Sequence, residues 1–455
     1  MTDLTGRVIA HLAARREVID APDAREATAM HLLDTLAAVV SGRVMPVGRT
    51  ASRWLAARRA AGRCSAVGEE AGVHPEEASF VNAICAHADE SDDSHEPSRS
   101  HPGASIVPTA IAVGEHLGSG GRQVVEAIAL GYEACALMNW MTWSTAAQRR
   151  RAHGSTHAMG GLWGSAVAAA ALHGFDPEQQ RSLIAYTAQQ AGGLGTWLRD
   201  EHHVEKAFVF AGMPAWNAVR AAELVAAGWP GVRDTFDGEI TFFTATGRGV
   251  EESALERSAA SPPIVVETNI KKYCVGSPAQ AAVQAAEELR AGGVEPAEVR
   301  AVRCHLPADL ARIVDQRDMA DINVQYLVAR TLVDGTCTFA AAHDPLGARI
   351  PVVAGLLERT TLIADADMEP IRQARLEIDL ADGTTREATV FPVRGTKDDP
   401  MTRAEVEHKA DDLMALALPP AARQELITAC RTADDTLLPR VGRVLRSLTH
   451  TGPRP

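Results

Sequence analysis

A mainly α protein is expected, built as a helical body, an α+β insert and a helical return. Three observations predict it. Apolar residues recur at helical spacing through the first ~265 of the 455 residues. Period-two alternation and an Asp-Gly turn signal follow between 299 and 393. Helical spacing then resumes after Thr402.

Taken in order, residues 24–41 place Ala27, Met30, Leu33, Ala37 and Val40 on one face, with Gly42 as the expected stop. Residues 104–117 and 122–138 repeat the pattern around Gly118-Ser-Gly-Gly121. Residues 161–173 are nearly all small or apolar, as in a helix buried on every side. A further helix over 213–227 ends at Gly228-Trp-Pro-Gly231. Pro262–Glu267 reads as a short strand or linker. Val299–Leu306 reads as a strand, and Ala374–Leu380 and Arg386–Val393 form a hairpin about Asp382-Gly383. Helices are expected at 277–291 and 321–335, then from the cap Thr402 to 415 and over 420–432.

The length exceeds one core of roughly 100–200 residues, so two domains are expected. At 46% hydrophobic residues the chain is too apolar for disorder, and a net charge of −13 argues against a nucleic-acid partner. Seven scattered cysteines without a C-x-x-C read as reduced, buried thiols. No signal peptide is expected and no apolar run approaches ~18 residues, so a cytoplasmic protein without membrane attachment is expected. Only five basic residues are lysines, Lys206, Lys271, Lys272, Lys397 and Lys409, which gives each more weight as a hint of chemistry.

The densest polar cluster runs from His87 to Pro102, with three histidines and five carboxylates between two helices. It can supply a general acid and base, or it can be a solvated acidic loop. Neither an H-x-x-x-H helix nor an EF-hand spacing is present, so no metal is expected. His101-Pro-Gly at a helix entrance can bring backbone N–H groups close to a carboxylate. Arg151 and His153, ahead of the Ala-rich helix, can bind an anion or form a basic turn, and Ser155 or Thr156 can cap that helix. His202 and His203 cannot both serve one ion from a helix, since neighbours point ~100° apart. No nucleotide loop, Walker motif or G-x-S-x-G elbow occurs. Acid–base chemistry on a small anion remains.

These fragments resemble the 2-methylcitrate dehydratase (MmgE/PrpD) family, which includes cis-aconitate decarboxylase and iminodisuccinate epimerase. The likeness is carried by Leu32-Leu-Asp-Thr-Leu-Ala37, Asn82–His87, Asp92-Asp93-Ser94, His101–Pro108 and Ala127–Glu133. Lys206 with Gly212, Lys271 with Tyr273, Asn323–Tyr326, and Pro400–Thr402 with Lys409 follow in the family's order. The resemblance implies a large all-helical domain formed by both chain ends (1–264 and 397–455), a smaller α+β lid (265–396), a cleft between them, and a homodimer. It also implies no organic cofactor and no metal, with a small di- or tricarboxylate as partner.

Carried over residue by residue, the resemblance falls on Glu90, Ser94, His101, Lys206 and Lys271; His101 is the expected proton shuttle, and Asp93 or Glu90 would orient it or act as base. Ser94 and Tyr273 would position substrate, and His153 or His157 would replace a shifted histidine. Glu90 stands where Asp is usual, Ser94 where Thr is common, and Gln280 where a histidine is usual. A hydro-lyase is the leading expectation, an iminodisuccinate-type epimerase the second and a decarboxylase the third; the non-enzyme alternative is a helical binding scaffold.

Overall fold

The computed structural model describes residues 3–58, 61–143, 154–245, 249–369 and 371–448. It is mainly α-helical with one small sheet, and its chain divides into two compact units. The first comprises residues 1–88, 92–269 and 402–455; the second comprises 89–91 and 270–401.

In the first unit, long helices span Leu4–Ile19, Pro22–Val44, Pro75–Ala86, Pro102–Leu117, Gly121–Thr142, Thr156–His173 and Met213–Ala226. The Ala-rich helix Thr156–His173 packs against its neighbours at 102–117, 121–142 and 213–226, burying Leu162, Ala166 and Ala169 with Ala218, Val219 and Ala222. Small side chains on both partners let the helices approach closely. Ser155 caps the helix, its hydroxyl accepting from the Ala158 N–H at 3.2 Å.

Gly42 does not stop the helix that contains it, which runs on to Val44. A Cβ at Gly42 would lie 1.9 Å from the Cys85 carbonyl oxygen, so the glycine serves helix–helix contact. Pro262–Glu267 is likewise no strand: Ile264–Glu267 is a helical turn. Its first N–H donates to the buried Glu133 carboxylate at 2.8 Å, which Arg15 pairs at 2.8 Å from the N-terminal helix. An anion at a helix start favours the helical turn.

The return segment behaves as the sequence predicts. Thr402 caps Arg403–Met414 in a capping box with Glu405. Lys409 then bonds Asp34 of the Pro22–Val44 helix at 2.7 Å, both side chains buried.

The second unit holds a four-stranded sheet, β1 (Val299–Pro307), β2 (Thr360–Asp365), β3 (Ala374–Leu380) and β4 (Thr385–Val390), in the order β2-β1-β3-β4. β1 pairs parallel with β2 and antiparallel with β3; β3 and β4 form the expected hairpin, with Gly383 at φ 86° in its turn. Val302, Cys304 and Leu306 point to the core with Leu376 and Ile378, against helices Gln280–Ala291 and Val324–Asp334. On the other face Arg303 bonds Glu377 and Asp379 of β3.

All seven cysteines are buried thiols, none of them in a disulfide. Among the described residues, no helix is long and apolar enough to cross a membrane.

Candidate active site

The polar segment leaves helix Pro75–Ala86 at His87 and enters helix Pro102–Leu117 at His101. It is not a solvated acidic loop. His87, Asp89, Ser91, Asp92 and Asp93 have no exposed surface, and Glu90, Ser94, His95 and His101 are buried. Ionisable groups withdrawn from water must be hydrogen-bonded or paired. Their partners define the site.

Asp92 holds two histidines. One carboxylate oxygen, Oδ2, lies 2.8 Å from Nδ1 of His87 and 3.0 Å from Nδ1 of His101. Burial drives the His87 imidazole well below the usual histidine range, against the pull of Asp92 and with the help of the Lys206 and His101 charges. A neutral imidazole beside a carboxylate carries its proton on the nearer nitrogen. Nε2 of His87 is then bare; it is buried and without a hydrogen-bond partner among the described residues.

Asp93 faces elsewhere, so its expected pairing with His101 is corrected. Its Oδ2 meets Nδ1 of His31 at 2.8 Å and accepts the Tyr132 hydroxyl, while Oδ1 accepts the Gly103 N–H at 2.9 Å. Burial and the adjacent carboxylate push the Tyr132 phenol well above its ordinary value, keeping it a donor. The helix entrance at His101-Pro-Gly therefore receives the chain's own carboxylate. A Cβ on Gly103 would lie within 2.7 Å of Thr35 Oγ1 and 2.8 Å of Asp93 Oδ2, so only glycine allows that approach.

Aromatic rings complete this cluster. Phe210 stacks on His157 at 3.8 Å and on His87 at 4.6 Å, and Trp197 meets it edge-on at 4.6 Å. His101 lies 5.0 Å from His157 and 5.2 Å from His87 between ring centroids. The Lys206 ammonium sits 5.4 Å from the Phe210 ring and 5.9 Å from Trp197, close enough for cation–π attraction. Phe210 is set by a π-helical turn, Phe208–Gly212, between Val204–Ala207 and Met213–Ala226. Pro214 has no N–H for the carbonyl four residues back, and the widened turn absorbs that defect. His203, at φ 59°, lies outside the helix and brings Nε2 within 2.8 Å of the His87 carbonyl; His202 is exposed.

The other expected residues fall as follows. In the second unit, Lys271 Nζ donates to the Glu90 carbonyl at 2.8 Å and lies 3.3 Å from its carboxylate, both side chains buried. Glu90 takes a left-handed backbone at φ 56°, a conformation that costs energy for a residue with a Cβ. His343 Nε2 meets the Asp89 carbonyl at 3.0 Å.

Tyr273 does not offer its hydroxyl to a ligand: it donates to Glu287, which Lys272 and Thr336 also bond at 2.7 Å. Gln280, in place of the family's histidine, holds the carbonyls of Tyr273 and Val275 at 2.7 and 3.0 Å. Ser94 pairs through its backbone with Asn269 in the first unit. Arg151 and His153 lie outside the described residues.

His87, Asp92 and His101 also present three donor atoms within 4.8 Å of one another. Their 2.8 and 3.0 Å separations are those of hydrogen bonds, shorter than the ~3.3 Å between two ligands of a tetrahedral ion. The geometry fits a carboxylate orienting two imidazoles better than an ion's ligand set.

Residues 7–253 match the MmgE/PrpD N-terminal domain, and residues 273–434 match the MmgE/PrpD C-terminal domain. The chain belongs to the MmgE/PrpD family. No curated protein gives a significant match to it. Family membership supports a lyase or dehydratase type of function in general. In this MmgE/PrpD chain the sequence reading brought out His101, His157 and Lys206, which the fold gathers in one cluster. It missed the roles of Asp92, His87, His31 and Phe210. His87 and Asp92 stood inside the quoted family fragments, and Pro214 was a legible sign of an irregular helix at Phe210.

Proposed function

We propose that this MmgE/PrpD chain is a hydro-lyase of the 2-methylcitrate dehydratase type, acting on a small hydroxy di- or tricarboxylate without an organic cofactor. One observation carries the reading: His101, held at Nδ1 by Asp92, stands beside His157 and Lys206 in a buried, aromatic-walled cluster. In this reading Nε2 of His101 takes the proton from the carbon next to a substrate carboxylate. The bond electrons move into that carboxylate, whose growing negative charge Lys206 stabilises in a site poor in water. The electrons then return to form the alkene as the β-hydroxyl leaves with a proton from His157, giving one water. Lys271, Glu90 and Ser94 keep their family roles in the proposal, as do the lid function of the second unit, the homodimer and the cytoplasmic location.

An epimerase of the iminodisuccinate kind is the second reading. Gln280 favours it, because a glutamine that clasps two backbone carbonyls supplies no proton to a leaving group. His101 and His157 would then be opposed proton carriers.

NMR of the purified protein in D2O with a panel of di- and tricarboxylates separates the readings. An alkene signal with loss of substrate supports dehydration, and deuterium uptake without loss supports epimerisation. No change with any acid refutes both.

A further inference from the structure

Building on the reading of His101 and His157 as proton carriers, we infer that Asn139 is the positioning residue that sets their spacing. Its side-chain amide ties the stretch that carries His101 to the stretch that carries His157. Asn139 lies buried in helix Gly121–Thr142. Its Nδ2 donates to the Ser98 carbonyl at 3.0 Å, just ahead of His101, and to the carbonyl of Thr156, the residue before His157, also at 3.0 Å. Thr156 adds a second tie, its hydroxyl donating to the Arg99 carbonyl at 2.6 Å. The two imidazoles beyond these ties stand 5.0 Å apart between ring centroids.

The chain ahead of His101 needs such donors. His95 and Ser100 exchange backbone bonds at 2.9 and 3.2 Å, and Arg99 takes a left-handed backbone at φ 50°. Inside that turn the carbonyls of Pro97, Ser98 and Arg99 accept from the Trp140 indole, the Asn139 amide and the Thr156 hydroxyl in that order. The fold also makes room for the amide: a Cβ on Gly160 would lie 2.7 Å from Asn139 Nδ2. Asn139 Oδ1 is buried and has no hydrogen-bond partner among the described residues. Turning the amide over would set that oxygen against two carbonyls, so chemistry fixes its orientation. A side chain kept for stability alone gains nothing by stranding a buried acceptor, whereas one kept to aim two donors at two segments must strand it. Stacking on Phe210 at 3.8 Å holds the His157 ring against a plane and lets it slide; directional bonds to the backbone fix where it stands. Proton carriers need that precision, since misplacement by ~1 Å can lower a rate on the order of 10²-fold.

The first part of the test needs no substrate. The full chain is isotope-labelled at histidine, and His101→Gln and His157→Gln identify the two sets of ring signals. Wild-type protein should show a nuclear Overhauser cross peak between the His101 and His157 rings. In folded Asn139→Leu, which keeps the volume and loses both donors, that peak should weaken by roughly twofold or more, as a shift of about 0.5 Å would cause. Thr142→Val is the control on the same helix: it removes a hydroxyl that donates to the Met138 carbonyl, and the peak should keep its strength. A peak absent from wild type, unchanged in folded Asn139→Leu, or equally weakened in Thr142→Val overturns the inference. Should Asn139→Leu not fold, Asn139→Asp keeps the shape with at most one donor; the peak must weaken there too, and an unchanged one overturns the inference equally. On the substrate found by the carboxylate panel, folded Asn139→Leu should lose about 10²-fold in kcat with KM less affected. Full turnover despite a weakened peak would overturn the positioning role. A protein inert toward every carboxylate would refute the hydro-lyase reading and leave the cross-peak result intact.

Discussion

Asp92 and Asp93 are consecutive residues whose buried carboxylates serve two separate networks, Asp92 the His87–His101 pair and Asp93 the group of His31, Tyr132 and the Gly103 N–H. The backbone between them sends one side chain to the candidate catalytic histidine and the other to the packing beneath helix Pro102–Leu117. Asn at position 93 would turn an amide group toward donors. Asp93→Asn is therefore expected to lose about 2 kcal/mol or more of stability in urea unfolding. A variant as stable as wild type would remove Asp93 from that structural role.

Lys206 is the cation that the proposed chemistry relies on in this cluster. Lys206→Ala should lower kcat by ~10²-fold or more, as loss of an oxyanion donor does, with KM less affected. Turnover near wild type on the substrate found by the NMR panel would exclude that role. Lys206→Arg should recover little of the loss, because a planar guanidinium needs more room than an ammonium held between Phe210 and Trp197.

How far the sequence could be read follows from which contacts are local. The hairpin at Asp382-Gly383, the cap at Thr402 and the helices between 102 and 173 depend on neighbours in sequence, and they were legible. Gly42 and Ile264 were misread because tertiary partners decide them: the Cys85 carbonyl in one case and the Glu133 carboxylate in the other. Burial of the polar segment was hidden for the same reason, since composition cannot show that distant partners satisfy each group. His31, the Asp92-Asp93 pair, His157 and Phe210 come from four separate stretches, and only packing joins His31 to Asp93 and His157 to His101 and Phe210. The family fragments pointed to the polar segment, and geometry was needed to tell the partners of Asp92 from those of Asp93.

Gly103 should tolerate no side chain. The added methyl of Gly103→Ala meets three polar atoms, those of Thr35, Asp93 and Tyr132, of which the last two are fixed by their own hydrogen bonds. Relieving that overlap is expected to cost about 1–3 kcal/mol, read as a lowered urea midpoint. Since Gly103 adjoins His101, activity should fall as well. Equal stability of variant and wild type would mean that the helix entrance can shift without cost.

Stability against pH should show two opposing contributions that variants can separate. His95 is fully buried, and burial with the Arg257 charge lowers its pKa from 6.5 to about 3. Between those values the unfolded chain holds a proton that the native chain lacks, so stability is lost as pH falls below 6.5. Glu223 acts in the other direction, burial and the neighbouring Glu76 raising its pKa from 4.5 to about 7. Across that window the native chain holds the extra proton, so its contribution is present at low pH and lost as pH rises toward 7. Thermal melts between pH 5 and 7 should therefore give a steeper loss of Tm on acidification for Glu223→Gln than for wild type. The loss should be shallower for His95→Asn. Parallel Tm curves for the three proteins would show that neither group changes its proton affinity on folding.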